Sequence, residues 1–160
     1  MTITLDLGCG AEPKNPFNAD EVVGIDLTST KKSILAVDLA IKPIPFADNH
    51  FDFVTAYDVL QSIPRLIYNP TRRLSFVELM NEVFRVLKPG GTFLSITPAY
   101  PKDAAFRDPT HVNFITPETF SLYFDTGNNW GASYGFKGGF IIEMQEWSGA
   151  HHLVSTLRKP

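Results

Sequence analysis

Up to residue 38 the chain holds three short β-rich runs, Ile3-Thr4-Leu5-Asp6-Leu7, Glu21-Val22-Val23-Gly24-Ile25-Asp26 and Ile34-Leu35-Ala36-Val37-Asp38. Each carries an aspartate near its carboxyl end, and the first runs straight into Gly8-Cys9-Gly10, where glycine admits backbone angles other residues resist. The link between the first two runs is broken by Pro13 and Pro16, and the next link, residues 28–33, is shorter still. Neither has room for a full crossover helix, so the fold that these strands build must do without its first helices.

A proline-punctuated stretch, residues 41–46, leads to a fourth run, Phe51-Asp52-Phe53-Val54-Thr55-Ala56-Tyr57, bounded by Asp48-Asn49-His50. Then the period changes. Leu74, Val77, Met80, Phe84 and Leu87 recur at spacings of three and four, which predicts an amphipathic helix over 74–87 that stops at Lys88-Pro89-Gly90-Gly91. A strand over 92–97 and a long loop over 98–115 follow. Thr116 is placed to cap a second helix with Pro117 in its first turn. Runs at 138–147 and 151–158 flank Ser148-Gly149-Ala150 and read as an antiparallel pair. The expected architecture is α/β: a Rossmann-like, doubly wound, mostly parallel seven-stranded sheet with a C-terminal antiparallel strand pair and reduced N-terminal helices.

Length and charge narrow the function. At 160 residues one domain is expected, spanning 1–160. With 14 Lys and Arg against 17 Asp and Glu the net charge is -3, which offers nucleic acid no general attraction. The single Cys9 closes no internal bridge, and with four His it builds no zinc pattern, so no metal is expected. No run reaches the ~20 apolar residues of a membrane helix, and the start, Met1-Thr2-Ile3-Thr4, lacks a basic leader. The expectation is a cytoplasmic chain with no membrane partner.

Five short signatures occur in order: Leu5-Asp6-Leu7-Gly8-Cys9-Gly10, Gly24-Ile25-Asp26-Leu27, Val37-Asp38-Leu39, Phe51-Asp52-Phe53-Val54 and Val86-Leu87-Lys88-Pro89-Gly90-Gly91. In these the chain resembles the class I S-adenosylmethionine (SAM) dependent methyltransferases, most closely the small-molecule type labelled methyltransferase-11. The resemblance is strong over residues 3–98 and weak beyond. It implies SAM as cofactor, S-adenosylhomocysteine as product and a small-molecule methyl acceptor. It also implies that Asp26, with Leu27 beside it, takes the ribose hydroxyls, and that Asp38 and Leu39 lie at the adenine edge. Gly8, Cys9 and Gly10 would pass close to the methionine portion, Asp6 would organise that turn, and Ala56 and Tyr57 would face the methionine amine or the methyl. The physics agrees, since ligands of open α/β sheets sit outside the carboxyl ends of the strands. Strand-end acids also satisfy nearby amides, so Asp38 has a structural alternative, as Tyr57 has in the core.

A nicotinamide site is the natural competitor. Pro13 stands where a dinucleotide fingerprint needs its third glycine, and Glu12 would sit beside the pyrophosphate, so an NAD-dependent oxidoreductase ranks below the methyltransferase. A non-catalytic SAM-fold subunit that regulates a partner is the other alternative, favoured by the missing helices. For catalysis on a hydroxyl, His111 is a candidate base, with Asp108 to orient it, or the two simply staple the loop. Relatives often carry Glu-His where this chain has Gln61-Ser62. Arg65, Arg72 and Arg73 read as a solvated basic face, and His50, His151 and His152 show no partner pattern. Phe114, Phe120, Tyr123, Phe124 and Trp130 could line an acceptor pocket, a core or a homodimer contact.

Overall fold

The computed structural model describes residues 1–160. Strands β1 (Ile3–Leu7), β2 (Glu21–Asp26), β3 (Ile34–Ala36) and β4 (Phe51–Tyr57) run parallel. A two-stranded ribbon, β5 (Ile67–Tyr68) and β6 (Arg72–Arg73), precedes helix α1 (Ser75–Val86). Strand β7 (Leu87–Pro98) follows, then helix α2 (Pro117–Tyr123), and β8 (Ile141–Ser148) with β9 (His152–Arg158) close the chain. The main sheet has seven strands in the order β3-β2-β1-β4-β7-β9-β8, and only β9 runs against its neighbours. This is the mostly parallel, Rossmann-like sheet with few helices that the strand spacing implied.

The order places the switch point between β1 and β4, where the chain turns from building outward on one side to building on the other. Ligand crevices of open sheets form there, beyond the carboxyl ends. The loops at that edge follow Leu7, Asp26, Tyr57 and Pro98. At the opposite edge Asp52 accepts the Ile3 amide at 2.8 Å and pairs with Lys88 at 2.9 Å, tying β1, β4 and β7 together. Asp52 therefore registers the sheet far from any crevice.

Helix α1 sits lower in register than its sequence stripe suggests. Phe76, Leu79, Met80, Val83 and Val86 are the buried positions, while Leu74, Val77 and Phe84 are half-buried. The reason is a second contact: the Phe84 ring meets Phe136 and Phe140 at 6.1 and 5.1 Å, edge to face. A helix covered on two sides shows a wider apolar stripe than one lying on a sheet alone. Lys88 to Gly91 form an irregularity inside β7, where the pairing with β4 shifts register before Thr92. Thr116 caps α2 by accepting the Glu118 amide, with Pro117 in the first turn, as the local sequence requires.

Residues 98–115 form a long connection held from outside. Buried Gln61 accepts the Thr97 hydroxyl at 2.9 Å, and its carbonyl takes the Val112 and Asn113 amides at 2.9 and 3.0 Å. Arg65 donates to Asn113 Oδ1 at 2.7 Å and to the Phe114 carbonyl. Arg73 pairs with Glu78 and donates to the Ile41 carbonyl. Arg65 and Arg73 are thus fastenings, and of the basic cluster read from the sequence only Arg72 is left as a solvated side chain. No helix is long and apolar enough to cross a membrane.

Candidate functional site

The turn after β1 is built around one buried carboxylate. Asp6 is 0 % exposed, its Oδ1 accepts the Thr55 hydroxyl at 2.6 Å and its Oδ2 accepts the Lys14 amide at 2.8 Å. Burial pushes its pKa above the ordinary 3.8, against the pull of these hydrogen bonds and of the Lys14 cation. Fully buried and with both oxygens engaged, Asp6 holds the loop in place and offers nothing outward.

Gly8 and Gly10 both take left-handed angles, φ +62° and +65°. They differ in surroundings: a Cβ on Gly8 would lie 2.6 Å from Val59 Cγ2, whereas one on Gly10 would meet nothing within 4 Å. Gly8 is therefore required twice, by angle and by the close approach of the segment that follows β4. The turn is tied across to β2, since the Gly10 amide donates to Asp26 Oδ2 at 2.9 Å and the Cys9 amide to the Ile25 carbonyl at 3.1 Å. Between them Cys9 is buried, and burial first, then the Asp6 and Asp26 charges, push its thiol up to about 11. It stays a neutral thiol at physiological pH.

Asp26 also accepts the Leu27 amide at 2.8 Å, and Asp38 accepts the Ala40 amide at 3.0 Å. Both carboxylates line an open cleft of about 240 Å³ at the carboxyl edge, together with Gly8, Leu27, Leu39 and Val59. Asp6, Cys9, Gly10, Ala56 and Tyr57 lie outside its lining. Ala56 is buried in the sheet, and the half-buried Tyr57 carries the Lys14 ammonium 5.0 Å from its ring centre. Burial and the Asp6 charge raise the Tyr57 phenol above 10.0, so it does not ionise near neutrality.

A second cavity of about 410 Å³ adjoins the first, and Asp58 and Ser62 line both. Most of the residues lining it are polar, among them Gln61, Arg107, Asp108, His111, His151 and His152. His111 Nδ1 lies 3.3 Å from the Ala105 carbonyl and its Nε2 3.7 Å from Asp108 Oδ2, too far for a hydrogen bond. Asp108 spends its other oxygen on the Thr110 amide and hydroxyl, both at 2.8 Å, and these lower its pKa below 3.8. The expected pair is thus close but loosely coupled, and both residues pin the loop. A tighter pair stands opposite: His152 Nε2 lies 2.7 Å from Asp58 Oδ1. The sequence reading missed it because the partners are 94 residues apart. The only local signal was the acid immediately after the β4 end.

The aromatic residues divide. Phe120 is buried core, the buried Phe124 edges an open apolar recess of about 780 Å³, and Phe114, Tyr123 and Trp130 line the same recess. That recess shares no lining residue with either cavity above, so it is no part of this site. Nowhere do three His, Cys, Asp or Glu side chains gather as metal ligands.

A family model described as a methyltransferase domain matches residues 5–95. Demethylmenaquinone methyltransferase of Listeria monocytogenes serotype 4a (strain HCC23) is 27% identical over 119 residues, covering 62% of this chain and 46% of that protein. The chain thus spans less than half the length of this curated relative. Among solved structures, the [4+2]-cyclase SpnF superposes with a TM-score of 0.68 at 19% identity, over 99% of this chain and 74% of that one. The 1,6-didemethyltoxoflavin-N1-methyltransferase of Burkholderia thailandensis, crystallised with 1,6-didemethyltoxoflavin and S-adenosylhomocysteine, gives 0.63 at 16% identity, over 98% and 70%. At such identities the likeness is one of fold, and SpnF is a reminder that one fold hosts different chemistries.

Proposed function

Because the chain belongs to the methyltransferase domain family, we propose that it transfers a methyl group from SAM to a small polar molecule. The observation that carries this reading is the pair of cavities meeting at Asp58 and Ser62 on the carboxyl edge of the sheet. The smaller cavity has the hydrogen-bond acceptors the cofactor asks for. Asp26 and Asp38 line it with carboxylate oxygens that can accept from ribose hydroxyls and the adenine amine, and Leu27, Leu39 and Ile63 supply apolar walls. A hydrogen bond to a charged group contributes roughly 1.5–3 kcal/mol, so Asp26 is the main polar determinant of affinity.

Bound SAM supplies a methyl group already activated on a sulfonium. The chain's part is to seat it, to line up a nucleophile across the Asp58–Ser62 boundary and to keep the two aligned, which in well-oriented systems is worth ~7–11 kcal/mol. Residues 98–115 wall the acceptor side, fastened by Gln61 and Arg65. Residues 1–160 act as one catalytic domain in this reading, and the single thiol suits a cytoplasmic setting.

The exposed recess around Tyr100, Phe114 and Trp130 favours one subsidiary reading, a homodimer contact, or a non-catalytic subunit that binds or regulates a partner through it. Light scattering on the purified chain tests it, with a monomer at micromolar concentration counting against a dimer. The primary reading is tested by calorimetric titration of SAM and S-adenosylhomocysteine, with NAD as control. Micromolar binding of both, and none of NAD, is the expected result. A folded chain that binds neither overturns the reading.

A further inference from the structure

We propose that the proton acceptor of the transfer is His152, positioned by Asp58, and that the acceptor molecule is a small hydroxylated acid. The inference rests on the methyltransferase reading and deepens it. Three features of the second cavity carry it.

The first is the pairing. His152 opens β9, opposite Pro98 of β7, which puts its ring at the carboxyl edge of the sheet. Its Nε2 lies 2.7 Å from Asp58 Oδ1, and a carboxylate can only accept, so Nε2 carries the hydrogen. That leaves Nδ1, which makes no hydrogen bond within the chain, with its lone pair free to take a proton. His111 lacks such a partner: its Nδ1 lies 3.3 Å from the Ala105 carbonyl and its Nε2 is 3.7 Å from Asp108 Oδ2, beyond hydrogen-bond distance, so no carboxylate in contact would hold its imidazolium.

The second is the backbone. Asp58 is a non-glycine residue at φ 53°, a conformation that carries a conformational cost. Its amide donates to the Ile96 carbonyl at 2.9 Å, which fixes the turn at the end of β4. The left-handed turn thus lies between the cofactor cleft and the hairpin, with the carboxylate directed to His152.

The third is the lining. Arg107 carries a guanidinium with no hydrogen-bond partner within the chain, and with His151 it faces the same cavity as His152, Asp58, Asp108 and His111. Only one of the 11 lining residues is hydrophobic. Such a wall suits an acceptor whose acid group meets Arg107 while its hydroxyl meets His152, and it does not suit a long apolar tail. In the step itself, the acceptor oxygen forms the new C–O bond as the S–CH3 bond breaks with its electron pair left on sulfur. The hydroxyl proton passes to His152 Nδ1, and the imidazolium so formed stays beside the Asp58 carboxylate.

The test uses the full chain labelled with 15N in histidine, loaded with [methyl-13C]SAM, with the four imidazoles assigned from His→Gln variants. His152 is expected in a single tautomer, hydrogen on Nε2, with widely separated nitrogen signals, and Asp58→Asn makes those signals converge. A nuclear Overhauser contact between the SAM methyl and the His152 ring is expected, and none to His50. Salicylate, the hydroxy-acid probe, is expected at millimolar concentration to shift the His152 signals, with the shift lost in Arg107→Ala. Hydrogen on Nδ1 of His152, or a methyl contact to His111 without one to His152, overturns the base assignment. Absence of any salicylate effect overturns the acceptor class. No heat on titrating SAM into folded chain removes the methyltransferase reading itself, so that failure is told apart from failure of the dyad.

Discussion

The two cavities share a wall but are assembled in different ways. The cofactor cleft draws most of its lining residues, Asp26 and Asp38 included, from within the first 40 residues, held by hydrogen bonds between near neighbours such as Asp26 to Leu27 and Asp38 to Ala40. The polar cavity draws on the end of β4, the connection 98–115 and the final hairpin, and its tightest pair joins Asp58 to His152. One side is written locally and the other only by tertiary folding. A change in the first should therefore cost affinity or stability at once, whereas a change in the second should leave the cofactor cleft standing.

The largest expected effect is at Gly8. An alanine there meets both a left-handed angle, worth ~1–3 kcal/mol, and Val59 at 2.6 Å, whereas Gly10→Ala meets the angle alone. Gly8→Ala should lower Tm by roughly 6–12 °C, and Gly10→Ala by at most about half of that. Equal melting temperatures for the two variants would mean that the approach of Val59 is not tight. Next comes Asp26→Ala, which should weaken SAM roughly 10–150-fold by calorimetry without altering the His152 tautomer. A coupled loss of both would erase the distinction between the two sides.

Arg65→Ala comes third. It strands the buried Asn113 oxygen, at a cost of roughly 1–3 kcal/mol, and should speed hydrogen exchange at Val112 to Phe114 while SAM affinity changes less than about twofold. The smallest effects concern pH. Burial raises the Glu82 carboxyl, but the Arg85 hydrogen bonds and the Ile44 amide outweigh it and hold the pKa below the ordinary 4.5. Its stabilising contribution is thus fully present above 4.5 and lost as pH falls through the lower folded value, so Glu82→Gln should flatten the acid side of the stability profile. Asp6 has the opposite sign. Its raised pKa favours the folded state as pH falls, a contribution fully present below 3.8 and lost as pH rises through the folded value. Carboxyl NMR titration of the two residues checks both directions.

The same contrast explains what could be read in advance. The strands, the missing early helices, the α2 cap and the closing hairpin follow from local periodicity and punctuation, which the backbone obeys directly. That Asp26, Asp38 and Gly8 gather at the carboxyl edge was legible because a strand that ends on an acid or a glycine carries its place in a few adjacent residues. Asp6 was legible as an organiser of its turn, and the structure gives it that place through Thr55 and Lys14. His152 was not legible. A lone histidine beginning a strand carries no local mark of the Asp58 it will meet, and the geometry arises only when β9 is inserted beside β7. The wide stripe of α1 was misjudged for a similar reason, since its second cover is the distant Phe136 and Phe140.

The most direct test of the account is a crystal structure of the chain with S-adenosylhomocysteine. The expected result is ribose hydroxyls on Asp26, adenine beside Asp38 and Leu39, and the sulfur directed at the boundary formed by Asp58 and Ser62. A ligand seated elsewhere, or one whose sulfur faces away from the polar cavity, would contradict it.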